Sequence, residues 1–293
     1  MPRIGAEAQI RIVAPAAAVN RERVEQGAAV LAASGFQVTY GRHLFDVWHP
    51  LGFAGTDHDR AQDLMEALLD PAVAVVLAAR GGYGAMRIMD QIDWESLRNA
   101  ERKIVVGFSD ITALHLGLAK LGWPTIHGPN AESDWENPVT RASFLDVLNR
   151  RPARLSPTRL KPLGAPQALT GPWRGGNLTL IASLMGTPFQ VDCRETVLYV
   201  EEVHEAPYRI ERMLTQLRLT GVLKEARGLV VGDIQLPPGE SKEVAEAIFG
   251  EAAETLGIPA WCGFPSGHSE PMWSLPLGWD LAVDREGWVS WDG

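Results

Sequence analysis

The chain has 293 residues, 46% hydrophobic and 22% charged, which suits a folded protein with room for two domains and a core that needs no staples. A formal charge of -9, from 27 basic and 36 acidic side chains, argues against a general binder of nucleic acid or anionic membrane, because neutralising phosphate takes Lys and Arg in excess. Cys193 and Cys262 belong to no CxxC pair and read as small buried hydrophobes, not as a disulfide or metal pair.

The opening MPRIGAEAQIRIVAP lacks the basic-then-apolar form of a signal peptide, and no apolar run nears the ~18 residues of a membrane helix. The expected compartment is the cytoplasm. Gln9 to Val13 reads as a strand, and Asn20 as the cap of a helix that carries Val24, Ala28 and Leu31 and stops at Gly35. Phe36 to Tyr40 is the next strand. Thr56 and Asp59 form a capping pair for a helix with Ala61, Leu64, Met65 and Leu68 on one face. AVAVVLAA, Ala72 to Ala79, has no polar alternation and suits a strand buried on both faces of a parallel sheet. A helix is expected from about Ala85. Ile104 to Phe108 is another buried strand, followed by a helix lined by Ile111, Leu114, His115 and Leu118. Such alternation implies a parallel sheet wrapped by helices.

RRPARLSPTRLKPLGAPQ, rich in Pro and basic residues, breaks the pattern and reads as a linker. The division is an α/β domain over residues 1–150, a linker over 151–168, and a mixed, strand-rich domain over 169–293. In the last, Thr196 to Val200 and Gly228 to Ile234 are strands. Ile210, Met213, Leu214 and Leu217 mark a helix ended by Gly221, and LAVDREGWVSW is a hairpin turning at DREG.

Ser109, in GFSDI, stands between a buried strand and a helix. It reads either as a helix cap or as a nucleophile pushed above the sheet edge, where open α/β folds bind ligands. GFSDI lacks the second glycine of G-x-S-x-G. A nucleophilic serine needs a base, and the base needs an orienting acceptor. Of seven histidines, His115 lies on an apolar helix face. His43, His49, His58 and His204 fall in loop, turn or surface patterns. His127 in TIHGPN and His268 in the Gly- and Pro-rich FPSGHSEP remain as bases. Glu201 and Glu202 end a strand. Neighbours there point to opposite faces, so at most one can meet the histidine. ARGGYGAMR puts Arg87 where a dinucleotide loop needs its third glycine, so Gly81, Gly82 and Gly84 suit close backbone approach to a substrate instead. No metal or ATP motif is present, and no cofactor is expected.

Taken together, GTDHDRAQDL, ARGGYGAMRIMDQIDW, VVGFSDITALH, HGPN, WRGGNLTLIASLMGTP, LYVEEVHEAPYRIERMLTQLRLTG and GHSEPMWSLPLG resemble the LD-carboxypeptidase family, which includes muramoyltetrapeptide carboxypeptidases and microcin C immunity peptidases. The segments fall in the family's order and cover most of the chain. VAPAAAV, around Ala14-Pro15-Ala16, departs from the family's Pro-Ser pair and leaves the role of that loop open. The resemblance implies a flavodoxin-like N-terminal domain, a smaller β-rich C-terminal domain and a homodimer.

It further implies a Ser109–Glu201–His268 triad, with an oxyanion hole formed by the amide of Asp110 and that of Gly81 or Gly82, Gly82 being favoured. Gly81, Tyr83, Asn130, Trp173 and Asn177 are carried as substrate contacts. The implied reaction cuts an L,D-amide of a cytosolic muropeptide tetrapeptide and releases D-alanine. One rival is a microcin-immunity-type hydrolase of peptidyl or aminoacyl nucleotides, for which Trp273 could stack on a base or simply pack on the domain. A second is a non-catalytic peptide-binding protein.

Overall fold

Strand and helix alternate through the first half in the computed structural model, which describes residue 4 and residues 7–150 and 153–291. The elements are β1 (Gln9–Val13), α1 (Arg21–Ala33), β2 (Gln37–Tyr40), α2 (Asp57–Leu69), β3 (Val73–Ala78), α3 (Trp94–Asn99), β4 (Ile104–Gly107), α4 (Thr112–Lys120), β5 (Thr125–His127) and α5 (Pro138–Leu148). Asn20 accepts the Arg23 amide and starts α1. Thr56 and Asp59 form a reciprocal capping box at α2. The expected helix from Ala85 is only a 3-10 turn, Ala85–Ile88, because Asp93 caps a separate short helix, α3.

All five strands run parallel in the order β2-β1-β3-β4-β5, the flavodoxin-like arrangement, whose ligand crevice lies beyond the carboxyl ends of the strands.

The second half holds β6 (Ala153–Arg154), β7 (Lys161–Pro162), β8 (Leu169–Asn177), α6 (Leu178–Ser183), β9 (Val197–Val203), α7 (Pro207–Leu219), β10 (Gly228–Gln235), α8 (Lys242–Leu256), β11 (Ala260–Cys262), β12 (Leu275–Leu277), β13 (Asp280–Val283) and β14 (Val289–Trp291). Its mixed sheet runs β6-β14-β13-β8-β9-β10-β11-β7, with β8 to β11 parallel and antiparallel strands on either side. The Pro-rich segment read as a linker therefore supplies both edge strands, β6 and β7. The DREG hairpin joins β13 to β14 as expected.

Two features lock the halves together. β12 leaves the second half and pairs antiparallel with β5, Leu275 opposite His127 and Leu277 opposite Thr125, so it forms an edge of the first sheet. Each of the two cores also draws on both sheets. One takes Val76, Val105, Leu198 and Val200, and the other takes Val75, Val106, Val197 and Tyr199. Period-two alternation on β3 and β9 feeds both. Among the described residues no helix is long and apolar enough to cross a membrane.

Candidate active site

β4 is buried along its whole length and ends at Gly107. Two residues later Ser109 opens a 3-10 turn with φ of 63°, a left-handed conformation that costs a non-glycine residue energy. The corner forces its side chain out of the sheet, and among the described residues its hydroxyl caps no helix. Asn130 Oδ1 accepts the Phe108 amide at 3.4 Å and steadies the approach to the corner.

Facing the corner is the loop that follows β3. A Cβ built on Gly81 would stand 2.8 Å from Ser109 Cβ and 3.1 Å from its Oγ, so only glycine fits. Gly82 next to it has φ of 87°. The loop is fixed from two sides. Asp110, 1% exposed, accepts the Ala85 amide at 2.7 Å and also the Gly84 amide. Burial pushes its carboxyl up to about 6, against the pull of those amides and of Arg60. Arg60, fully buried, donates to the carbonyls of Pro15 (2.7 Å) and Gly84 (2.8 Å) and pairs with Asp57, which also holds Arg87 at 2.6 Å. The Ala14-Pro15-Ala16 loop gains a role here. It braces the glycines, with the Ala17 amide donating to Gly81 O at 3.2 Å.

The residues expected as base and acid come from the second half. Glu201 and Glu202 point to opposite faces of β9, as alternation requires. Glu201, 0% exposed, accepts His268 Nδ1–H at 2.7 Å. Glu202 instead accepts from Asn177 Nδ2 (3.1 Å) and from the amide and hydroxyl of Thr179 (both 2.8 Å), which anchors the start of α6. Burial pulls the His268 imidazole down, but the Glu201 hydrogen bond and charge, helped by Glu202 and Asp233, hold it above its ordinary value.

The His268 loop is tied on both flanks. Tyr199 Oη–H donates to Ser266 O at 2.7 Å, and Ser269 Oγ–H donates to Asp233 Oδ2 at 2.6 Å. The loop then crosses to α5, where Thr140 and Ser143 accept the amides of Met272 (3.1 Å) and Ser274 (2.9 Å), before β12 enters the first sheet. A residue of the second half is thereby placed over the first.

Ser109, His268, Gly81, Gly82, Phe108 and Asn130 line one cleft of about 320 Å³, and Arg23, Arg80, Glu132 and Glu270 face it as well. The Phe108 ring packs edge-on against the His268 ring, centroids 5.0 Å apart.

His127, the rival base, is 0% exposed behind Phe108 and beside Tyr199, and burial drives it well below the ordinary imidazole value. His115 is core. It donates Nε2–H to Gly107 O at 2.9 Å, and burial lowers it to about 4. Two proposed substrate contacts lie elsewhere. Trp173 is buried among Tyr199 and Phe264 because its β8 position faces the core, and Asn177 is used up by the α6 cap and Glu202. Tyr83 stands half exposed against Phe53. The cleft residues Arg23, Arg80, Glu132 and Glu270 were missed in the sequence. Arg80 and Glu270 are charges beside the Gly81 and His268 motifs, whereas Arg23 and Glu132 come from a helix and a loop that only the fold brings to the cleft.

Among the described residues no group of three or more His, Cys, Asp or Glu is arranged to hold a metal ion. The fold and this cleft define a mixed α/β protein of two sheets with a serine and a glutamate-bound histidine at one crevice.

The chain belongs to the LD-carboxypeptidase family. The family's N-terminal domain matches residues 10–128 and its C-terminal domain residues 170–283. A murein tetrapeptide carboxypeptidase of Pseudomonas aeruginosa is 31% identical over 285 residues, covering 93% of this chain and 92% of its own. The crystal structure of a muramoyltetrapeptide carboxypeptidase from Oxalobacter formigenes superposes with a TM-score of 0.85 at 29% identity, over 96% of this chain and 97% of that one. The microcin C7 self-immunity protein MccF of Escherichia coli is 26% identical over 308 residues, covering 92% of this chain and 88% of its own.

Proposed function

We propose that the protein is a serine carboxypeptidase that cuts the L,D-amide bond of cytosolic muropeptide tetrapeptides and releases the terminal D-alanine. Ser109 Oγ attacks the carbonyl of the L-configured residue. His268 Nε2 takes the hydroxyl proton and later returns it to the leaving amine. Glu201 keeps the Nδ1–H tautomer and stabilises the imidazolium. The amides of Asp110 and Gly82 hold the tetrahedral oxyanion, each contributing ~3–4 kcal/mol to the transition state. Water attacks the acyl-enzyme, with His268 as base, and frees the tripeptide. The observation that carries this reading is the 2.7 Å bond from buried Glu201 to a histidine that shares its cleft with a left-handed serine. The names of the Pseudomonas and Oxalobacter relatives support the substrate class. The family resemblance supports a homodimer.

The MccF relative supports a second reading, hydrolysis of an aminoacyl or peptidyl nucleotide. Trp273, which could have stacked on a base, instead packs against the core, so the muropeptide reading is preferred. The test incubates the purified protein with a muramoyl tetrapeptide and, separately, with an aminoacyl sulfamoyl adenosine. D-alanine release from the first is expected. Turnover of the nucleotide alone would replace this reading with the second.

A further inference from the structure

We infer that Arg80 is the clamp for the substrate's terminal carboxylate, which makes this side chain the selector for a free C-terminal acid. The inference rests on the carboxypeptidase reading above and names what that reading leaves unassigned. The leaving residue of a carboxypeptidase carries its carboxylate one residue length, about 3.6 Å, beyond the scissile carbonyl. When that carbonyl is at Ser109 with its oxygen toward the Gly82 amide, a cation placed beside the glycine loop meets the carboxylate.

Arg80 is that cation. It lies directly before Gly81, lines the cleft, and folds back along the loop, its Nε 3.9 Å from where a Cβ on Gly82 would be. Its guanidinium is held in place before any substrate arrives. Nη1 donates to Ala18 O at 3.0 Å, and Nε lies 4.0 Å from Glu132 Oε2. The other oxygen of Glu132 accepts the Asn20 amide, so the acid is itself anchored to the start of α1. Among the described residues Nη2 has no protein partner. The side chain is 49% exposed, so it can take a ligand. A planar guanidinium oriented in advance suits a carboxylate better than a free-swinging ammonium does.

Charge sets the direction in which the peptide lies. Glu270 faces the cleft on the His268 side, held by Thr140 Oγ1 at 3.2 Å, and would repel a carboxylate placed there. The leaving amine must stay within reach of His268, so the leaving residue starts there and turns away from Glu270, its carboxylate reaching the Arg80 guanidinium, whose neighbour Glu132 is already tied to the Asn20 amide. Arg23, the second cation, has no side-chain hydrogen bond or ion pair among the described residues to orient it and also borders a separate cleft beside Trp135.

The experiment compares the tetrapeptide with its C-terminal carboxamide. The wild-type protein should prefer the free acid, and Arg80→Ala should lower kcat/KM for the acid roughly 10- to 100-fold, mostly through KM, with little change for the amide. Arg80→Lys, which keeps the charge and loses the fork, should fall between. Melting temperatures of both variants report on folding. If the acid preference survives in Arg80→Ala, or disappears in Arg23→Ala instead, the clamp assignment is wrong while the carboxypeptidase reading stands. If the wild type releases nothing from either peptide, the carboxypeptidase reading itself fails and the clamp goes with it.

Discussion

Gly81 and Ser109 approach until a methyl group on the first would stand 2.8 Å from the Cβ of the second. The loop and the corner are therefore fitted to each other, and neither can shift alone. Gly81→Ala should leave secondary structure intact and push the serine off its line of attack. A displacement of about 1 Å typically costs ~100-fold in rate. Steady-state D-alanine release, read beside circular dichroism, checks it. Near-normal kcat in a folded Gly81→Ala protein would mean that the loop does not set the serine's position.

Glu201→Gln tests the acid of the proposed triad and gives a pH signature. Raised above its ordinary value, His268 becomes the neutral base only as pH climbs through that higher value. The acid limb of wild-type kcat/KM should thus have its midpoint above about 6.5. Gln at 201 removes the charge that holds the proton, while burial still disfavours the imidazolium. The limb should move to lower pH, and the rate should fall by ~10⁴ through the wrong tautomer. An unshifted limb in a variant that retains activity would separate Glu201 from the titrating base.

Much of this arrangement was legible in the residues. Unbroken apolar runs at β3 and β4 fixed a parallel sheet, the Thr56–Asp59 spacing fixed a capping box, and alternation at Glu201 and Glu202 required one to face away. The choice between His127 and His268 was not legible. It depends on depth behind Phe108, a tertiary quantity with no local pattern. The passage of β12 into the first sheet was hidden for the same reason, since a three-residue strand carries too little periodicity to assign a partner. Trp173, carried as a substrate contact with the family resemblance, faces the core from β8, which no local pattern announces. The bracing of the Gly81–Gly84 loop by Arg60 and Asp110 went unseen because a buried arginine and a raised carboxyl look like surface charges in a string of letters.

Ser109→Ala should abolish D-alanine release, by at least ~10³-fold, because it removes the attacking oxygen itself. The hydroxyl makes no hydrogen bond with the described residues, and alanine at φ of 63° carries a similar strain, so the melting temperature should stay within about 2 °C. Release that persists in the folded variant would take the nucleophile's role away from Ser109.

Asp110 gives the last prediction, on stability. Its carboxyl titrates at about 6 in the folded protein against 3.8 ordinarily, because burial outweighs the Ala85 and Gly84 amides. Between about pH 4 and 6 the folded state therefore keeps a proton that the unfolded chain has already released. Stability must fall as pH rises through that window and level off above it, with a total of up to ~3 kcal/mol from this group. Asp110→Asn has no such proton. The difference in unfolding free energy between wild type and variant, measured in urea at pH 4, 5, 6 and 7, should move against the wild type across the window and then hold constant. Other buried carboxyls such as Glu202 and Asp63 are common to both proteins and cancel in the difference. Parallel stability curves would show that the Asp110 carboxyl is already ionised at pH 4 and that the amides of the glycine loop outweigh its burial.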